Sequence, residues 1–232
     1  VGFKVPRWPE CHIPDWTNNL GIEEKEKFVK RYIAKVIERY KNNSIIEMWQ
    51  VENEPHLLFG ACPKRGNNYL KKEIGLVKLI DLKRPILITD SGELGFWYKA
   101  AKMGDIFGTT MYRNVYTGAL GWLFGNITYP LSPEYFRIKE KIIRFLINDY
   151  GKRFIVIELQ AEPWSHIALQ KISYDEQIRL FDFDYFKETV QYAKDTGFDE
   201  YYFWGAEWWY NLKQNNNDSR YWDYAKTIIQ SP

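Results

Sequence analysis

The chain is poor in the side chains that serve redox and metal chemistry. Its 232 residues include two cysteines and three histidines. His12, His56 and His166 share no tight ligand spacing of the HExxH kind, so no metal site and no cofactor are expected. Charge of one sign is also lacking. Lys and Arg number 32 against 30 Asp and Glu, for a net charge of +2, and the two signs are interspersed. Nothing electrostatic therefore argues for a nucleic-acid partner. The longest apolar runs, such as Phe154 to Ile157, are far too short to cross a bilayer, so no membrane partner is expected. No GxGxxG or GxxxxGK is present, which counts against an open doubly wound sheet built for phosphate. The chain opens on Val1 without a charged leader or small-residue cleavage site. The expectation is that a native N-terminus is missing, which leaves localisation open, as is the oligomeric state.

Aromatic residues are abundant instead, at 18% of the chain, with ten Trp and seventeen Tyr. One reading is a Trp-rich core. The other is sugar stacking, because the C–H face of a pyranose lies flat on an aromatic ring. Composition alone leaves both open.

Along the chain, strands alternate with helices. Strands are expected near 1–7, 45–54, 86–90, 106–112, 154–159 and 200–204. Phe28, Tyr32, Ile33, Val36, Ile37 and Tyr40 form a helical stripe within 23–40. Further helices are expected over 69–81, near 96–103, from Pro133 to about Tyr150 with Gly151 as the stop, over 175–196, and from about Trp222. A loop holding Gly60, Pro63 and Gly66 follows the second strand, and an aromatic loop spans 114–131. Such alternation implies a parallel sheet with crossovers, and the length suits one domain over 1–232.

The informative residues sit at strand ends. Trp49-Gln50-Val51-Glu52-Asn53-Glu54-Pro55 follows an apolar run and carries acids where a buried strand would be apolar. Phe154-Ile155-Val156-Ile157-Glu158-Leu159-Gln160 places one Glu in a β-branched run. Carboxylates are costly to bury without a purpose. One Glu at each of two strand ends suits glycoside hydrolysis, in which one carboxyl protonates the leaving oxygen and the other attacks the anomeric carbon.

On these residues the chain resembles glycoside hydrolase clan A, the retaining β/α-barrel glycosidases, with features of the β-galactosidase-like and family 5-like members. The resemblance implies a (β/α)8 TIM barrel whose fourth strand ends in Asn53-Glu54 and whose seventh ends in Glu158. Val1–Arg7 then becomes the third strand and the first two are absent. The expectation is an N-terminally truncated barrel of about six βα units, open between its outer strands. The resemblance implies Glu54 as acid/base and Glu158 as nucleophile, with the carboxyls about 5 Å apart. It further implies that Asn53 binds the sugar 2-hydroxyl, that Tyr112 donates to Glu158, and that Trp204 floors the sugar site. Arg7 and Trp8 are rim residues on this reading, and His56 lines a subsite. The partner is a carbohydrate substrate with a β-linkage. Cys11 and Cys62 would lie on adjacent loops, either bridged or as free thiols.

Other residues carry weaker readings. Strand alternation puts Gln50, Glu52 and Glu54 on one side, with Glu52 beneath the acid. Asp90 and Glu93 are candidates for the fifth loop, Glu162 is a loop acid, and Trp208 and Trp209 are rim or packing residues. The alternative function is a non-catalytic carbohydrate-binding relative on the same barrel. Such relatives commonly lose one carboxylate, and this chain keeps both.

Overall fold

The computed structural model describes residues 1–65, 68–116, 123–198 and 200–230. Gly66 and the middle of the aromatic loop, 117–122, lie outside the described residues. The chain forms two compact units, Val1–Thr109 with Lys141–Ile155, and Thr110–Glu140 with Val156–Pro232. The main sheet has the strand order β1 (Trp49–Gln50), β2 (Ile86–Asp90), β3 (Ile106–Met111), β6 (Arg153–Gln160) and β7 (Tyr201–Trp204). Strands alternate with helices along the chain, and β1–β2, β2–β3 and β6–β7 pair in parallel, an arrangement that fits part of a β/α barrel.

In the first unit, every residue of β2 is buried, which suits a parallel strand covered on both faces. Helix α1 (Ile22–Tyr40) packs on α2 (Tyr69–Ile80). Glu23 and Glu24 in the first turn of α1 favour its positive end. Of the apolar stripe on α1, Ile33 and Ile37 are fully buried, whereas Phe28, Tyr32 and Tyr40 remain exposed. Phe28 meets the exposed Trp16 edge-on, with ring centroids 4.9 Å apart. Both line an apolar groove of about 630 Å³ that also takes in Phe3, Ile13, Val29 and Tyr32. None of the candidate site residues lines that groove. Helix α3 (Tyr98–Met103) follows Trp97, which is fully buried against Phe107 and Phe154. Arg84 fastens the approach to β1. Its guanidinium donates to the Ile46 carbonyl (2.7 Å) and to Asp81 (2.7 Å), and Asp81 also accepts from the Trp49 indole (2.9 Å).

The second unit holds the end of β3, β7, and a short antiparallel hairpin of β4 (Asn114–Tyr116) and β5 (Asn126–Thr128) inside the aromatic loop. Helix α4 (Pro133–Ile147) runs from this unit into the first. It ends where Asn148 turns left-handed at φ 54°, three residues before the glycine expected to stop it. The helix expected over 175–196 is two, α5 (Tyr174–Leu180) and α6 (Phe183–Thr196). Asp182 breaks them by capping the Tyr185 amide at 2.7 Å. Helix α7 (Ala206–Asn215) was not anticipated, and α8 (Arg220–Gln230) closes the described chain. Phe181, Phe186, Trp208, Trp209, Leu212 and Tyr221 form the core of this unit. Trp208 and Trp209 are thus packing residues.

Two strand expectations need correction. Residues 1–7 form no strand, and the strand expected over 45–54 is ordered as one only at Trp49–Gln50. The cause is local. Gly2 (φ 140°), Arg7 (φ 104°), Glu52 (φ 62°) and Glu54 (φ 40°) all leave the extended region. The opening segment instead gives its Phe3 and Lys4 amides to the Glu52 carboxylate, at 2.7 and 2.5 Å. A Cβ on Gly2 would lie 2.7 Å from that carboxyl carbon, so only glycine fits there.

Cys11 and Cys62 form a disulfide, with Cα atoms 5.1 Å apart and a sequence separation of 51. The free-thiol alternative is thereby set aside. A bridge closing so long a loop removes freedom chiefly from the unfolded chain. Replacing both cysteines by serine is expected to lower unfolding stability by about 2–4 kcal/mol. The measurement is the urea midpoint of the double variant against the oxidised parent.

Candidate active site

In the first unit, the Asn53-Glu54 turn follows β1. Asn53 and Glu54 are buried, at 3% and 8% exposure. Glu54 receives its amide partner from β2, since its N–H donates to Thr89 Oγ1 at 2.9 Å. Its carbonyl accepts from Lys4 Nζ at 3.2 Å. The Asn53 amide is oriented by two groups. Its Oδ1 accepts from Gln50 Nε2 (3.2 Å), and its Nδ2 donates to Glu10 Oε2 (3.4 Å). Lys4 Nζ stands 3.9 Å from the same Glu10 oxygen. Burial pushes the Glu10 carboxyl above its ordinary value, against the pull of Lys4 and Asn53.

Glu52 is not beneath the acid in the sense that strand alternation implied, because residues 52 and 54 both adopt left-handed backbone. Its carboxylate is committed to structure. Besides the two amides it accepts from Arg65 Nη1 at 2.6 Å, while Arg65 Nη2 donates to Glu73 at 2.5 Å. Arg65 also lies over the Tyr69 ring at 3.9 Å. Two buried carboxyls thus share one guanidinium. Burial first, and the neighbouring Glu52 charge second, push Glu73 up to about 8.

Asp90, at the end of β2, accepts from the Ser91 amide (3.0 Å) and the Trp97 amide (2.9 Å), which closes the turn into α3. His56, just past Glu54, is solvent-accessible, and its surroundings still hold its imidazole below the ordinary value by desolvation, opposed by the Asp90 charge. Arg7 is exposed, and Trp8 is 69% exposed with an edge-on contact to Phe59 at 5.8 Å.

In the second unit, β6 carries Glu158. This residue is 8% exposed on β6, and Tyr112, just past β3, donates its hydroxyl to Glu158 Oε2 at 2.8 Å. The Tyr112 ring is braced edge-on by Trp164, with centroids 4.9 Å apart. Gln160, two residues beyond Glu158 and fully buried, fixes the segment after Tyr112. Its Oε1 accepts from the Arg113 and Asn114 amides (3.0 and 2.9 Å), and its Nε2 donates to the Asn114 carbonyl (2.7 Å). Trp204, on β7, donates its indole N–H to Glu162 Oε1 at 3.0 Å. Glu162 is therefore tied to the aromatic expected as a sugar floor rather than standing alone in its loop. His166 stacks on Tyr116 at 4.5 Å.

Sequence reasoning missed Lys4, Glu10 and Gln160 as supports of these residues. Lys4 carried a signal, a charge inside Val1-Gly2-Phe3-Lys4-Val5. Gln160 carried one too, a polar residue closing an apolar strand.

No protein-family model matches the chain. Over 91 residues it is 26% identical to mannan endo-1,4-beta-mannosidase A of Emericella nidulans, covering 39% of this chain and 23% of that protein. Over 136 residues it is 30% identical to a 5′-methylthioadenosine/S-adenosylhomocysteine nucleosidase of Buchnera aphidicola, covering 58% of this chain and 54% of that one. The chain thus spans about a quarter and about half of these two relatives. Among solved structures it resembles the GH2 beta-galacturonidase from Eisenbergiella tayi bound to galacturonate. The TM-score is 0.53 at 16% identity, over 81% of this chain and 30% of that one. That likeness is one of fold.

The shared guanidinium gives a pH prediction. Glu73 titrates near 8 in the folded state and near the ordinary 4.5 when unfolded. The folded state therefore binds the proton more tightly. Stability should be highest below the unfolded value and fall as pH rises toward 8. Urea midpoints measured from pH 5 to 9 should decline over that window in the parent. In Glu73→Gln, which keeps a neutral partner for Arg65, the decline should flatten.

Proposed function

We propose that the chain is the catalytic part of a retaining glycoside hydrolase acting on a β-linked carbohydrate. Glu54 is the acid/base and Glu158 the nucleophile. The observation that carries this reading is the Tyr112 hydroxyl donating to the buried Glu158 carboxylate at 2.8 Å. A phenol is a neutral donor. A hydrogen bond to a carboxylate favours its ionised form, which a nucleophile requires. Support also comes from the fold likeness to a GH2 enzyme and from the partial sequence match to a mannosidase.

In the reaction, the Glu158 carboxylate attacks the anomeric carbon while Glu54 gives its proton to the glycosidic oxygen. The C–O bond to the aglycone breaks, and a glycosyl ester forms on Glu158. Glu54, now ionised, takes a proton from water, whose oxygen displaces Glu158 from the opposite face. Two inversions restore the starting anomer. Asn53 binds the 2-hydroxyl, and Trp204 offers an aromatic floor. Arg7, Trp8 and His56 line the rim. The mechanism requires carboxyls about 5 Å apart.

The test uses nitrophenyl glycosides, β-mannan and β-glucan, with 5′-methylthioadenosine as a separate arm. Glu158→Ala should abolish turnover, and azide should restore cleavage with inverted product. Glu54→Ala should lose about 10²–10⁴-fold on phenyl glycosides and little on dinitrophenyl glycosides, whose leaving group needs no proton. Sugar binding without turnover would favour the non-catalytic relative. Cleavage of 5′-methylthioadenosine alone would favour a nucleosidase.

A further inference from the structure

We infer that Lys4 and Thr89 are positioning residues for the Glu54 carboxyl, an inference that rests on the acid/base reading of Glu54. Neither residue touches the reacting atoms in this scheme. Together they hold the peptide groups on both sides of the Glu54 Cα.

Glu54 sits at φ 40°, in the left-handed region where a side-chain-bearing residue stays only if its surroundings hold it. Its N–H is taken by Thr89 Oγ1 (2.9 Å) and its C=O by Lys4 Nζ (3.2 Å). The same ammonium donates to the Leu57 carbonyl at 3.1 Å, and the Leu57 amide donates back to the Glu54 carbonyl at 3.0 Å. Lys4 thereby closes the turn that starts at Glu54. Thr89 is fully buried on β2, and its β-branch limits the hydroxyl to few directions. Its Oγ1 also receives Gln50 Nε2 at 3.4 Å. Lys4 is itself buried, and Glu10 Oε2 balances its charge at 3.9 Å while accepting from Asn53 Nδ2. Asn53 and Glu54 are thus set by one polar cluster drawn from the opening segment and β2.

A general acid must reach the leaving oxygen within hydrogen-bond distance, and small displacements are costly. Rotation about the Glu54 φ swings its Cβ, and with it the carboxyl. Loss of either support should therefore weaken proton donation specifically, leaving nucleophilic attack by Glu158 intact.

The experiment compares Thr89→Val, which keeps the shape, Lys4→Met and Thr89→Ser, with Glu54→Ala as reference. Each is assayed on phenyl and 2,4-dinitrophenyl β-glycosides of mannose, glucose and galactose. In parallel, the Glu54 amide and Cα resonances are followed in labelled protein. Thr89→Val and Lys4→Met should each lower kcat on the phenyl glycoside about 10- to 100-fold and on the dinitrophenyl glycoside by no more than about threefold. The Glu54 Cα shift should leave its left-handed value in both variants, and Thr89→Ser should restore both readouts. Equal losses on the two leaving groups, or unmoved Glu54 resonances, would overturn the inference, as would a lowered melting temperature with the leaving-group ratio unchanged. Should Lys4→Met fail to fold, Thr89→Val carries the test. If Glu54→Ala itself shows no leaving-group dependence, the acid reading fails, and the Glu54 resonances alone then decide whether Lys4 and Thr89 hold this turn.

Discussion

The constraint on which the described structure turns is the cost of removing carboxylates from water at the ends of buried strands. Asp90, Glu52 and Glu158 each accept from donors of a different kind. Asp90 is met by two backbone amides, which close a turn. Glu52 is met by two amides and a guanidinium, which commits its oxygens to holding the opening segment against β1. Glu158 is met by a phenol. A phenol hydroxyl is a neutral donor, unlike the guanidinium at Glu52.

The aromatic residues divide in the same way. Trp97, Phe186, Trp208, Trp209 and Tyr221 are buried in cores, where large rings supply most of the apolar area. Tyr112 and Trp164, past strand ends, and Trp204, the last residue of β7, are half-buried and lie against polar partners or one another. Composition counts both groups equally. Only position distinguishes a ring that fills a core from one that stays partly exposed.

Fold and function are separate inferences here. The fold likeness comes at 16% identity, and the two sequence relatives carry names of different reactions. A fold of this class hosts many chemistries, so function has to be argued from the carboxylates and their partners.

Much of the fold was legible because its signals are local. The β-branched runs at 86–90, 106–111 and 153–160, and the helical stripes between them, need no distant partner to be recognised. Glu54 and Glu158 stood out for a related reason, since an acid closing an apolar run is anomalous wherever the strand goes, while Tyr112 was marked by the family resemblance. The strand expected at 1–7 failed because the backbone twists at Gly2 and Arg7, and because a carboxylate 48 residues away took the amides a ladder would have used. Helix α7 was missed because Trp208 and Trp209 on its buried face read equally well as rim aromatics until the surrounding core is there to cover them. The sequence by itself determined where acids close apolar runs and that strands and helices alternate. Tertiary structure decided what each acid is bonded to, that Cys11 meets Cys62, and that Lys4, Thr89 and Gln160 support the site. Those pairings join residues about 35 to 50 positions apart, and no local periodicity encodes a hydrogen bond across such a distance.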